Sequence, residues 1–131
     1  MATIRVLLAD DSETVLADLR GELGDEFEIV GAVANGQEAV DAVLRLDPDV
    51  LVLDITMPIL NGIQASLCLR ESHPRTKILF LSIHEQSEYI SAAFSAGASG
   101  YVTKRRLAKD LAAAIREVIQ DHTFLSPSLR R

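Results

Sequence analysis

Three apolar runs, at residues 4–9 (broken only by Arg5), 50–53 and 78–81, constrain this chain more than any other feature. They do not alternate with polar residues, as strands with one wet face do, so they suit strands buried on both faces. A shorter run is Tyr101-Val102, and a fifth candidate at 27–34 lies between Asp25-Glu26 and the turn signal Asn35-Gly36. The intervening segments carry helical periodicity. Val15, Leu16, Leu19 and Leu23 share a face before Gly24, and Ala39, Val40, Val43 and Leu44 share one before Pro48. Ile63 and Leu67 mark a helix ending before Pro74, while Ile90, Ala93 and Phe94 mark one ending at Gly97. Leu107, Leu111, Ala114, Ile115 and Val118 give the clearest stripe. Strand then helix, five times over, predicts a doubly wound α/β domain with a five-stranded parallel sheet, right-handed crossovers and five helices.

Composition agrees with one such domain. The 131 residues are 48% hydrophobic and 24% charged, with only eleven Gly and Pro together. Aromatics are 5% with no Trp, and the net charge is −6, which argues against a base-stacking platform or a surface that grips phosphate backbones. The lone Cys68 excludes an internal disulfide or a cysteine zinc site and reads as a small apolar helix residue. No stretch is long enough for a signal peptide or membrane span, so the expectation is a cytoplasmic protein with no membrane partner.

Polar residues follow the strands in a telling way. The run at 4–9 is followed by Asp10-Asp11, that at 50–53 by Asp54, that at 78–81 by Ser82, and Tyr101-Val102 by Thr103-Lys104. In an open α/β sheet the carboxyl ends of the strands share one edge, where ligands bind. A single carboxylate there can serve simply to cap the next helix, a role that stays open for Asp11 ahead of Ser12. Five suitable groups converging is a different matter. Three close carboxylates repel one another unless a cation neutralises them, and an all-oxygen set suits Mg²⁺. A lysine opposite supplies a point charge for a phosphoryl oxygen, and the Ser82 hydroxyl can donate to another. The set is equipment for phosphoryl transfer to a carboxylate.

The motifs VLLADDSE, LVLDITMPILNG, ILFLSIHE and GASGYVTK resemble the receiver domain of two-component response regulators, over residues 4–120. That resemblance implies the flavodoxin-like strand order 2-1-3-4-5. It implies that Asp54 accepts a phosphoryl group from a sensor histidine kinase, and that Asp11 and Asp54 bind Mg²⁺ directly with Asp10 acting through water. The Thr56 backbone carbonyl would be a further ligand, Lys104 would hold the phosphoryl oxygens, Ser82 would follow the phosphate and Tyr101 would be the switch aromatic. Pro58 stiffens the loop after the strand, and Gly62 permits a positive φ there. Arg105 follows Lys104 where many receivers have Pro, so no cis peptide bond is expected at that point. His84, two residues past Ser82, is a candidate for tuning water access, against the plainer reading of a solvated loop histidine.

Residues 104–131 carry seven basic and three acidic side chains, which leaves −10 on residues 1–103. The tail DHTFLSPSLRR reads as the start of a linker, so the expected domain covers 1–121 and the linker begins at 122. GASGYVTK followed by Phe-Leu-Ser-Pro looks like the NarL/FixJ-type subfamily, in which a LuxR-type helix-turn-helix output domain follows. No such output domain is present in these 131 residues, so DNA binding by this chain alone is not expected, while a homodimer stays open. Two rival readings are weaker. A haloacid-dehalogenase-like phosphatase wants a second Asp two residues past the nucleophile, where this chain has Thr56. A flavodoxin-like binding module that is never phosphorylated has no need of the acidic set and Lys104.

Overall fold

The computed structural model describes residues 3–73 and 75–130. Pro74, expected to stop the third helix, lies outside the described residues. The elements run β1 (Arg5–Ala9), α1 (Glu13–Leu23), β2 (Glu28–Val33), α2 (Gly36–Leu46), β3 (Val50–Leu53), α3 (Gly62–Ser72) and β4 (Lys77–Ser82). They continue with α4 (Ser87–Ser95), β5 (Gly100–Thr103), a 3-10 turn (Lys104–Arg106), α5 (Leu107–Val118), β6 (Phe124–Leu125) and a second 3-10 turn (Pro127–Leu129). The sheet is parallel throughout, in the order β2-β1-β3-β4-β5-β6. This is the flavodoxin-like arrangement, with one strand more than expected.

The apolar runs are continuous because each strand serves two cores. Leu7, Ala9, Leu51, Leu53 and Phe80 face one side, packed with Val43, Ala65, Leu69 and Ala93 from α2, α3 and α4. Val6, Leu8, Val50, Val52 and Leu81 face the other, against Leu19 and Leu23 of α1 and Leu111, Ile115 and Val118 of α5. All of these side chains are buried, and fully burying each Val, Leu, Ile or Phe among them contributes about 1.5–3 kcal/mol. β2, at the sheet edge, has no buried residue, which is why its run is less purely apolar.

Three helices start on side-chain caps. Ser12, Asn35 and Asn61 accept from Val15 N (3.3 Å), Glu38 N (2.8 Å) and Gln64 N (2.9 Å), each satisfying a backbone donor that the first turn leaves unpaired. Ser12, not Asp11, therefore caps α1, and Asp11 is left free for the strand edge. Asn35-Gly36 opens α2 rather than marking a turn.

The sixth strand corrects the five-strand expectation. Phe124 and Leu125 pair with Gly100 and Tyr101 of β5, and Ser126 is fully buried. The segment read as the start of a linker is thus ordered against the sheet. Phe124 and Leu125 pack on opposite cores, so two residues suffice to hold the chain to an otherwise open strand edge.

Candidate functional site

The topology sets where the site lies. β1 sits between β2 and β3, so the chain reverses its direction of travel across the sheet there, opening a crevice at the carboxyl ends of these strands. Asp10 and Asp11 follow β1 and Asp54 follows β3, and one carboxylate oxygen from each lies within 4.8 Å of the others. Asp10 and Asp54 are buried, whereas Asp11 is exposed.

Lys104 reaches into this cluster from the end of β5. Its Nζ stands 2.9 Å from Asp10 Oδ2 and 3.1 Å from Asp54 Oδ2. Asp10 Oδ1 accepts from Ser12 N at 2.9 Å, and Asp54 Oδ1 from Ile55 N at 2.7 Å. Burial pushes the Asp54 carboxyl above its ordinary value, the Lys104 charge opposes this, and the Asp10 charge adds to it. Burial pulls the Lys104 ammonium down, but its contacts with Asp10 and Asp54 more than reverse that and leave it raised.

The donor set fits Mg²⁺. Three carboxylates against one ammonium leave a surplus of two negative charges, which a divalent cation would balance. Asp10 Oδ2 is buried and receives no well-directed hydrogen bond from a described residue, its contact with Lys104 being ionic. The ligands are hard oxygens, as Mg²⁺ prefers. Asp10, Asp11 and Asp54 are the residues that would hold it.

The remaining predicted residues surround this centre. Ser82 is fully buried at the end of β4, and its Oγ accepts from His84 N at 3.0 Å. Tyr101 is fully buried on β5 and donates its hydroxyl to His84 O at 2.7 Å. Burial raises its phenol above the usual range, and the Asp54 charge also raises it. His84 is no free loop residue: its Nε2 lies 3.1 Å from Thr56 Oγ1, and its ring stacks on Tyr89 with centroids 4.0 Å apart. The loops after β3 and β4 are therefore tied together through Thr56 and His84, beside Asp54.

The β3–α3 loop departs from expectation in one respect. The residue with positive φ is Ile59 (71°), not Gly62. Leu60 N donates to Pro58 O at 2.8 Å across Ile59, closing a three-residue turn of the strained γ type. Gly62 is needed for a different reason: a Cβ there would stand 2.0 Å from Asp54 O. The glycine lets α3 start against the strand end that carries Asp54. Gly36 has the same function toward the loop, with its N–H donating to Leu60 O at 2.8 Å and a Cβ placed 2.1 Å from that oxygen.

Sequence reasoning missed one group. Glu85 accepts from Thr103 Oγ1 and Arg105 Nε, each at 2.6 Å, and Ser126 Oγ accepts from Thr103 N at 3.2 Å. Arg105 holds the Glu85 carboxyl below its usual range, and Thr103 adds to this. These residues lie on three separate segments, so no local pattern signals their meeting. No cis peptide bond occurs among the described residues, Lys104-Arg105 included.

The comparisons with known proteins agree with this geometry. The response regulator receiver domain family matches residues 6–116. The transcriptional regulatory protein DegU of Brevibacillus brevis is 34% identical over 128 residues, covering 96% of this chain and 54% of that protein. The oxygen regulatory protein NreC of Staphylococcus carnosus is 33% identical over 129 residues, covering 96% and 59%. The chain thus spans little more than half the length of these relatives. Among solved structures, a LuxR-family two-component response regulator from Aurantimonas sp. SI85-9A1 superposes with a TM-score of 0.92 at 32% identity, covering 98% of this chain and 93% of that one. The response regulator domain of Thermotoga maritima CheB gives 0.84 at 30% identity, covering 91% and 98%. On the family match, these relatives and the strand order, the chain belongs to the response regulator receiver domains, of the LuxR/NarL type.

Proposed function

We propose that this receiver is switched by phosphorylation of Asp54, with a sensor histidine kinase as the donor. The observation that carries the reading is the Asp54 carboxylate held between Lys104 and the paired acids Asp10 and Asp11. One Asp54 oxygen attacks the phosphorus of a phosphohistidine. The O–P bond forms as the P–N bond breaks, and the electron pair leaves with the imidazole, which takes up a proton. Bound Mg²⁺ would neutralise charge on the phosphoryl oxygens, held by Asp10, Asp11, Asp54 and the Thr56 backbone carbonyl. Lys104 is already within reach of Asp54 and shifts its ammonium to a phosphoryl oxygen. The chain thus assists its own phosphorylation without being an enzyme on a separate substrate.

The buried Ser82 and Tyr101 supply the switch. A phosphoryl group adds roughly −1.5 to −2 charge and new acceptors, toward which Ser82 can turn its hydroxyl away from His84 N. Both residues grip the same His84 backbone, so a move by Ser82 changes what Tyr101 holds. The outcome is a shift between two populations of the α4–β5–α5 face, with His84 and Thr56 tuning water access to the phosphoryl group.

The family match over residues 6–116, and relatives that are transcriptional regulators nearly twice as long, support a receiver whose C-terminal tail, packed as β6, leads into a DNA-binding output domain. In this reading the protein acts in the cytoplasm, the isolated chain does not bind DNA specifically, and phosphorylation alters an interface with the output domain or a second copy. The decisive experiment incubates the chain with Mg²⁺ and acetyl phosphate and weighs the intact protein. One added phosphoryl group, absent in Asp54→Asn, is the expected result; modification of Asp54→Asn at the wild-type rate would overturn the assignment.

A further inference from the structure

Lys104 is aimed by the strand before it, and that strand is held from outside by the C-terminal tail. Ser126 N donates to Tyr101 O at 3.0 Å, continuing the β5–β6 ladder. The chain then turns away at Pro127 into a 3-10 turn, so the next ladder acceptor comes from a side chain. Ser126 Oγ accepts from Thr103 N at 3.2 Å, with both residues buried. Thr103 immediately precedes Lys104, and its own hydroxyl donates to Glu85 on the loop after β4. Thr103 is therefore fixed on two sides, by the tail and by the loop that follows Ser82. The tail carries its own fastening: Arg130 Nε donates to Leu125 O at 2.8 Å, and its guanidinium lies 5.7 Å from the centroid of the Phe124 ring.

We propose that Ser126 is a positioning residue for Lys104, and that docking of the tail on β5 sets the reactivity of the Asp54 site. The step at Asp54 is the one described under the proposed function, and this inference rests on it for its consequence. Without the Ser126 hydroxyl, Thr103 N loses its acceptor and the β5 end gains freedom just where Lys104 departs. An ammonium that wanders from Asp54 is less ready to meet a phosphoryl oxygen, since positioning supplies much of this catalysis. The linkage is reciprocal. A phosphoryl group that draws Lys104 onto itself tightens the hold of β5 on the tail, so whatever follows residue 130 is attached directly to a reporter of the site.

Two measurements on the full chain test this. In the resting protein, the rate at which an amine-selective acylating reagent modifies Lys104, followed by mass spectrometry, reads the freedom of the ammonium without any phosphoryl chemistry. Ser126→Ala should raise that rate about fivefold, the low end of a typical coupling, while thermal melting confirms a folded domain. Arg130→Ala, at an exposed position, should raise it less and in the same direction. In the presence of Mg²⁺, Ser126→Ala should weaken binding of beryllofluoride by a similar factor, and beryllofluoride should slow hydrogen exchange at Ser126 N in the wild type. Unchanged Lys104 reactivity in folded Ser126→Ala overturns the inference. If the wild type fails to bind beryllofluoride while Lys104 reactivity still rises, the phosphoacceptor reading fails and the positioning of Lys104 by Ser126 stands.

Discussion

Replacing Lys104 by Met tests the electrostatics of the site, because it keeps most of the apolar stem of the side chain, one atom shorter, and removes the ammonium. In the wild type the ammonium sits 2.9 Å from Asp10 and 3.1 Å from Asp54, with side-chain exposures of 18%, 1% and 7% for the three residues. Breaking a buried pair by deleting one partner costs about 3–5 kcal/mol. The partial exposure of Lys104 places the expected loss near the lower end, at about 3 kcal/mol at pH 7. For a domain of this size that lowers Tm by roughly 10 °C. The pH dependence follows from the charges. Asp54 is already raised above its ordinary 3.8 by burial, and losing the cation raises it further. A raised carboxyl destabilises the fold as it ionises, so the deficit grows as pH rises from the acid side toward 7. Lys104 is raised above its ordinary 10.5. Its stabilisation is thus fully present below that value and lost as pH rises through the folded-state value, so the deficit shrinks again in strong alkali. Urea unfolding of both proteins from pH 4 to 8, without metal, measures this. A cycle with Asp10→Asn should return a coupling of about 2 kcal/mol. A Lys104→Met variant within about 0.5 kcal/mol of wild type at pH 7, or a deficit that does not vary with pH, would refute the reasoning.

Other substitutions test other parts of the structure. Asp11→Ala should leave the fold intact and weaken Mg²⁺ binding about tenfold or more, since its exposed carboxylate contributes more to the metal than to packing; a fluorescence or NMR titration decides it. Asp54→Asn should raise Tm at pH 7 and lose that advantage as pH falls, because burial disfavours the charge it removes. Gly62→Ala places a Cβ 2.0 Å from Asp54 O and should cost about 3 kcal/mol, read by denaturant unfolding; a neutral result would mean that α3 can slide off the strand end. Tyr101→Phe removes the donor to His84 O and should cost about 1 kcal/mol. Ser82→Ala should accept a phosphoryl group yet show smaller amide shift changes with beryllofluoride than the wild type.

The sequence by itself determined the alternation of strands and helices, because apolar periodicity is a local property, although Leu44 and Leu67, read as marking the apolar faces of α2 and α3, stand exposed. Runs such as VLVL at Val50–Leu53 are apolar on both sides because both sides are covered. It also made the site legible, since parallel topology sends Asp10, Asp54, Ser82 and Lys104 to one edge whatever the loops between them do. Four matching motifs then tied that edge to a family.

Only the tertiary structure decided the rest, and each case depends on what lies opposite a residue rather than beside it in sequence. Gly62 was legible as a glycine that mattered, but its reason is the Asp54 carbonyl against it, and the positive φ falls on Ile59, which no propensity would choose. His84 looked solvated until Tyr89 and Thr56 were placed around it. Two residues, Phe124 and Leu125, are too few to show a period, so their strand exists only because β5 offers an open edge beside them. Ser126 and Glu85 meet Thr103 across 23 and 18 residues of chain. Hydrogen bonds at such separations leave no local trace, because either partner is an ordinary polar residue until the fold brings the other to it.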